Sequence, residues 1–135
     1  MANIIRASIF ISFKSIILFC KTKILNLKVY FMSILLEMAM FPTDHGESKS
    51  EYVAEVIKVI RDCGYPYQLT PMATIIETEE LSDALEIVQK CYDTLEKLDC
   101  TRVYATLKFD IRKGHKNRLT GKVKSIENKI GEVSK

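Results

Sequence analysis

The sequence predicts an α+β fold: a four-stranded antiparallel sheet, two helices on one of its faces, and an added C-terminal helix. Three observations predict it. Stretches of period-two and period-3.6 apolar patterning follow one another along residues 32–135 in the order β-α-β-β-α-β. Apolar residues make up 47% and charged residues 27%, a globular balance rather than a disordered one. The 135 residues suit one domain, enough to bury a single core.

The elements follow in order. ILLEMAMFP (34–42) is a strand with Ile34, Leu36, Met38 and Met40 on one face and Leu35, Glu37, Ala39 and Phe41 on the other; Pro42 ends it. Ser48 and Glu51 form an S-x-x-E capping box at a helix start. Val53, Val56, Ile57 and Ile60 make that helix's apolar stripe, and Gly64 stops it. YPYQLTP (65–71) and MATIIET (72–78) are two strands with Pro71 in the tight link. A second helix spans 81–98, with Leu81, Leu85, Val88, Tyr92 and Leu95 at helical spacing. RVYATLKFDI (102–111) alternates cleanly, Val103, Ala105, Leu107 and Phe109 against Tyr104, Thr106, Lys108 and Asp110. A basic loop follows, and Val123, Ile126, Ile130 and Val133 mark a final short helix. This order is the ferredoxin-like β-α-β-β-α-β sandwich. The wholly apolar strand faces belong under the helices. The other face, carrying Glu37, Phe41, Gln68, Thr70, Tyr104, Thr106, Lys108 and Asp110, stays open for a ligand or another subunit.

Residues 1–31 differ from the rest. They hold five basic residues and no acid, which leaves 15 basic against 17 acidic in residues 32–135. The globular part is therefore not basic, and charge implies no polyanion partner. Lys14 and Lys21 interrupt the apolar run before a membrane span of about 18 residues accumulates. The segment reads as a disordered extension, a targeting segment, or sequence ahead of a true start at Met32. Cys20, Cys63, Cys91 and Cys100 make no C-x-x-C pair and no histidine stands at ligand spacing, so they read as reduced, mostly buried thiols of an intracellular protein, with no metal.

Each polar residue of the sheet has an ordinary reading and a functional one. Glu37 is either a cross-strand partner of Lys108 or a ligand carboxylate. Thr70 and Thr74 carry β-propensity or ligand hydroxyls. Glu77 either favours the start of the next helix or binds. Alternation puts Thr74 and Glu77 on opposite faces. Arg112, Lys113, His115, Lys116, Arg118, Lys122 and Lys124 read as a solvated run or a phosphate holder. VYATLKFD lacks the glycine and aromatic spacing of RNP1, which argues against RNA. No nucleophile–base pair, glycine-rich phosphate loop or H-E-x-x-H motif argues for an enzyme.

SEYVAEVIKVIRDCGYPYQLTPMATIIET closely resembles the YkoF-like thiamine-binding family of small ferredoxin-like domains. The matching positions are Tyr52, Val53, Ala54, Gly64, Tyr67, Leu69, Thr70, Pro71, Met72, Thr74, Ile76 and Glu77. LKFDIRKG and GKVKSIENKI extend the resemblance over about residues 33–131, while Ala73 stands where the family usually has glycine. The resemblance implies a cytoplasmic, non-catalytic binder of thiamine or its hydroxymethyl-aminopyrimidine moiety, without a cofactor, working as a homodimer or homotetramer, with no nucleic-acid or membrane partner. Glu37, Thr70, Thr74 and Glu77 are its expected polar contacts, with Phe41 and Met72 as apolar walls and the basic run as a holder for a vitamin phosphate. Loss of pyrimidine binding in Glu77→Gln is the corresponding expectation. The alternative is a structural or regulatory homo-oligomer that uses the open face only for self-association.

Overall fold

In this computed structural model the structure describes residues 31–134. The expectations for the N-terminal extension and Cys20 lie outside the described residues, apart from Phe31.

Seven elements follow one another: β1 (Met32–Pro42), α1 (Ser50–Asp62), β2 (Tyr67–Leu69), β3 (Thr74–Thr78), α2 (Leu81–Lys97), β4 (Val103–Lys113) and α3 (Arg118–Ile130). The sheet order is β2-β3-β1-β4 and every neighbouring pair is antiparallel. This is the ferredoxin-like α+β sandwich, with α1 and α2 on one face. Register fixes the faces: Ile34, Leu36 and Met38 lie opposite Thr78, Ile76 and Thr74, and all six are buried. Against them pack Val56 and Ile60 of α1 and Ala84, Ile87, Cys91 and Leu95 of α2. Burial pushes the Cys91 thiol up to about 12, so it is an inert core sulfur.

Three local expectations are corrected. The capping box does not form: Lys49 occupies the N-cap of α1, while Ser48 Oγ meets Ser50 Oγ at 3.1 Å. The buried stripe of α2 is Ala84, Ile87, Cys91 and Leu95, whereas Leu81, Leu85 and Tyr92 are exposed. Both sides of this helix carry apolar residues, and the larger Leu and Tyr side chains masked the small Ala and Cys that let the helix approach the sheet. Ala105 and Leu107, expected under the helices, are exposed, because β4 is the edge strand and lies beyond the helical layer. Gly64 does end α1, at a φ of 77° that favours glycine.

Candidate functional site

β3 has only five residues, and its two ends lead to different surroundings. Before it runs the turn Thr70-Pro71-Met72-Ala73. Thr70 closes this turn twice: its backbone N–H donates to Ala73 O at 2.9 Å, and its hydroxyl donates to the same oxygen at 2.7 Å. The Ala73 N–H donates back to Thr70 Oγ1 at 3.1 Å. The Thr70 side chain is thus turn chemistry. Ala73 keeps a negative φ, so an L-residue fits where glycine would also serve.

The turn arches over one end of β1 and faces α1. Between them lies a cleft of about 180 Å³, lined by Met38, Met40, Phe41, Val53, Thr70, Met72 and Thr74 among others. Its walls are mainly apolar. Thr74 is buried on its floor, and Met72, 86% exposed, stands at its mouth. Ala73 also lines the cleft. Pockets for drug-sized ligands span roughly 300–1,000 Å³, so this cleft is a small one.

At the other end of β3, Glu77 lies on the opposite face, as alternation requires, and is 7% exposed. Its carboxylate caps α3 from a distant strand. Oε1 accepts the Arg118 backbone N–H at 2.8 Å and Oε2 accepts that of Leu119 at 2.9 Å. The Ser33 hydroxyl donates to Oε1 as well. Burial alone would raise the Glu77 pKa, but the Ser33, Leu119 and Arg118 hydrogen bonds and the Arg118 charge outweigh it and hold the carboxyl below its ordinary value. A carboxylate at a helix N-terminus meets both the free N–H groups and the positive end of the dipole. No sequence-adjacent residue caps this helix, whose N-cap Asn117 is left-handed at φ 54° and makes no side-chain cap.

Arg118 completes the arrangement. It is 7% exposed, and its guanidinium donates to Ser33 O at 3.3 Å, to Asp110 O at 3.0 Å and to the Asp110 carboxylate. Lys122 Nζ joins Asp110 at 2.5 Å. The Lys122 hydrogen bond, then that of Arg118, lowers the Asp110 pKa. The sequence reading placed Arg118 in a solvated basic run. Its burial has no periodic signal, since its partners are 8 and 85 residues away.

Glu37 belongs to neither end. Lys108 Nζ lies 3.0 Å from both of its oxygens, the cross-strand pair expected from register. Both side chains are substantially exposed, at 45% for Glu37 and 73% for Lys108. They border a second hollow of about 340 Å³ on the open face, with Leu35, Gln68, Ile75, Leu119 and Val123. The six expected site residues therefore separate. Phe41, Thr70, Met72 and Thr74 come together at the turn cleft, Glu37 faces the second hollow, and Glu77 sits under α3. Of the basic run, Lys116 pairs with Glu79 at 3.1 Å and stands 4.0 Å over the Phe31 ring. The N-terminus of α3, the natural seat for an anion, is already occupied by Glu77. Among the described residues, no group of three or more His, Cys, Asp and Glu side chains could hold a metal ion, and no helix is long and apolar enough to cross a membrane.

A small ferredoxin-like domain with a cleft at its β2–β3 turn is thus defined. The chain belongs to the thiamine-binding protein family, whose model matches residues 36–127. A UPF0045 protein of Mycobacterium bovis is 34% identical over 96 residues, covering 71% of this chain and 93% of the relative. A UPF0045 protein of Methanothermobacter thermautotrophicus is 32% identical over 83 residues, 62% of this chain and 84% of the relative. Among solved structures, that of the Methanocaldococcus jannaschii protein MJ1052 superposes with a TM-score of 0.63 at 29% identity, covering 70% of this chain and 95% of that one. A Thermotoga maritima protein provisionally assigned to thiamine biosynthesis or salvage shares the fold, with a TM-score of 0.59 at 21% identity, covering 70% of this chain and 98% of that one.

Proposed function

We propose that this chain binds thiamine or its hydroxymethyl-aminopyrimidine moiety without catalysis, in the cytoplasm, as part of vitamin trafficking, salvage or sensing. The observation that carries the reading is the turn cleft, which gathers Phe41 of β1 with Thr70, Met72 and Thr74 of the β2–β3 turn, all within the residues that the family model matches. A flat heteroaromatic ring needs apolar walls and a few polar groups at its edge. Phe41 and Met72 supply the walls. Thr74, buried on the floor, supplies a hydroxyl that both donates and accepts, matching the ring nitrogens and amine of an aminopyrimidine. The cleft is proposed to seat the pyrimidine, and Glu37, which faces the separate hollow on the open face, is the acid whose part in thiazolium binding is to be tested by substitution. Glu77 lies outside this cleft and holds the start of α3. Oligomerisation and the absence of nucleic-acid or membrane partners belong to the same proposal.

Calorimetric titration of the full chain with thiamine, its phosphates and the free hydroxymethyl-aminopyrimidine tests it. Saturable binding of the free pyrimidine, with affinity within about tenfold of thiamine, is expected when one ring carries most of the recognition. Tighter binding of the phosphates would bring the basic run into the site, and equal affinities would remove it. A folded chain that binds none of these compounds, with no rise in melting temperature, would overturn the reading in favour of a purely self-associating module.

A further inference from the structure

The sequence holds five methionines, and three of them line the turn cleft: Met38, Met40 and Met72. Their surroundings differ. Met38 and Met40 are 2% and 5% exposed, while Met72, at 86%, is the most exposed large apolar side chain among the described residues. A side chain so open to water has little packing of its own to hold it at the mouth of the cleft. The backbone holds it instead. Thr70 and Ala73 close the turn on either side of it with three hydrogen bonds, and Pro71 fixes φ just ahead of it.

A thioether in that position has two properties. It is unbranched, turns about three bonds and is polarizable, so it can pack across a flat ring seated in the cleft. It is also oxidised by peroxides, and its sulfoxide is polar. Exposure decides which sulfur an oxidant reaches, and it singles out Met72 over the two buried methionines of the same cleft. The thiols of Cys63, Cys91 and Cys100 do not compete at this place, because none of the three lines the cleft.

We propose that Met72 is a reversible oxidation site: a peroxide converts its thioether to the sulfoxide, and the oxidised side chain loosens the turn cleft's hold on a ring. This role rests on the cleft being the pyrimidine seat. In the step, a sulfur lone pair attacks one peroxide oxygen, the S–O bond forms and the O–O bond breaks. The proton on the transferred oxygen passes to the departing hydroxide, which leaves as water. Sulfur gives up two electrons and the peroxide takes them. A dithiol-driven sulfoxide reductase reverses the change: the dithiol becomes a disulfide and the oxygen leaves as water. Laying the sulfoxide against an apolar ring buries a polar S=O group without a partner, which is costly. The oxidised side chain therefore stays in water and no longer covers the ring.

The test treats the full chain with dilute hydrogen peroxide and locates the added oxygen by peptide mass mapping. The product is then titrated with hydroxymethyl-aminopyrimidine, before and after treatment with a methionine sulfoxide reductase. Met72 is expected to take up oxygen on the order of tenfold faster than Met38 and Met40, and more slowly when the pyrimidine is bound. Affinity for the pyrimidine is expected to fall about tenfold on oxidation and to return with the reductase. Met72→Leu, whatever its own affinity, is expected to keep that affinity through the same treatment, which separates Met72 from any other oxidised group. Equal affinity before and after full oxidation of Met72, or a loss of the same size in Met72→Leu, would overturn the proposal and leave the cleft as the binding site. So would oxidation of Met38 and Met40 as fast as that of Met72. An unoxidised chain that binds no pyrimidine would overturn the reading of the cleft, and the proposal with it.

Discussion

The two ends of β3, at Thr74 and Glu77, are three residues apart in sequence and opposite in character. At the Thr74 end a buried hydroxyl faces a small apolar cleft. At the Glu77 end a buried carboxylate is met by a hydroxyl and two backbone N–H groups and is placed beside a guanidinium. The first has room for a guest; the second is filled by the protein itself. Polar residues of one short motif thus divide between an open cleft and a filled architectural contact, and the partner each has in the fold decides which.

The sharpest way to break this contrast is to exchange the effects of the two ends. Glu77→Ala leaves the first N–H groups of α3 and the Ser33 hydroxyl without their acceptor. We expect a loss of about 2–3 kcal/mol in stability by chemical denaturation, with ligand affinity changed by less than about threefold at temperatures where the variant is folded. A large affinity loss with unchanged stability would place Glu77 in the binding site after all. Thr74→Val is the mirror image. Titration calorimetry should show pyrimidine affinity falling about tenfold, while the melting temperature shifts by no more than a few degrees.

Acid sharpens the comparison. The native Glu77 carboxyl is held below its ordinary value. Its ionised form therefore stabilises the fold above the unfolded-state pKa, and that contribution is lost as pH falls through the native pKa. Asp110 is lowered likewise and acts in the same direction. Denaturation midpoints measured from pH 6 down to about pH 3 should fall, and they should fall less steeply in Glu77→Gln than in the wild type. The smallest effect is expected at Glu37. Its pair with Lys108 is exposed, so Glu37→Gln should change stability by under about 0.5 kcal/mol. A several-fold loss of thiamine affinity with no loss for the free pyrimidine would assign Glu37 to the thiazolium end.

Much of the fold was legible because periodicity reports burial directly. The alternation of β1 and β4, the antiparallel order and the Glu37–Lys108 pair all follow from a side-chain period of two and a known strand order. The α2 stripe was misread because Ala84 and Cys91 are small, and helical periodicity weighs large apolar residues most. The extent of β4's exposure depends on sheet order, which places it beyond the helices. The site was legible in part. The turn residues Thr70, Met72 and Thr74 are adjacent in sequence, and Phe41 lies near the end of a strand paired with β3. The cap on α3 was not legible, because Ser33, Glu77, Asp110 and Arg118 come from four separate elements. No local pattern announces a helix capped by a strand 41 residues away.

Backbone amide chemical-shift mapping with the hydroxymethyl-aminopyrimidine tests the central claim most directly. Saturating shifts confined to Leu69, Thr70, Met72, Ala73, Thr74 and the neighbourhood of Phe41, with Arg118 and Leu119 unmoved, are the expected result. Shifts centred on Glu77, Arg118 and Leu119, or none at any concentration, would contradict it.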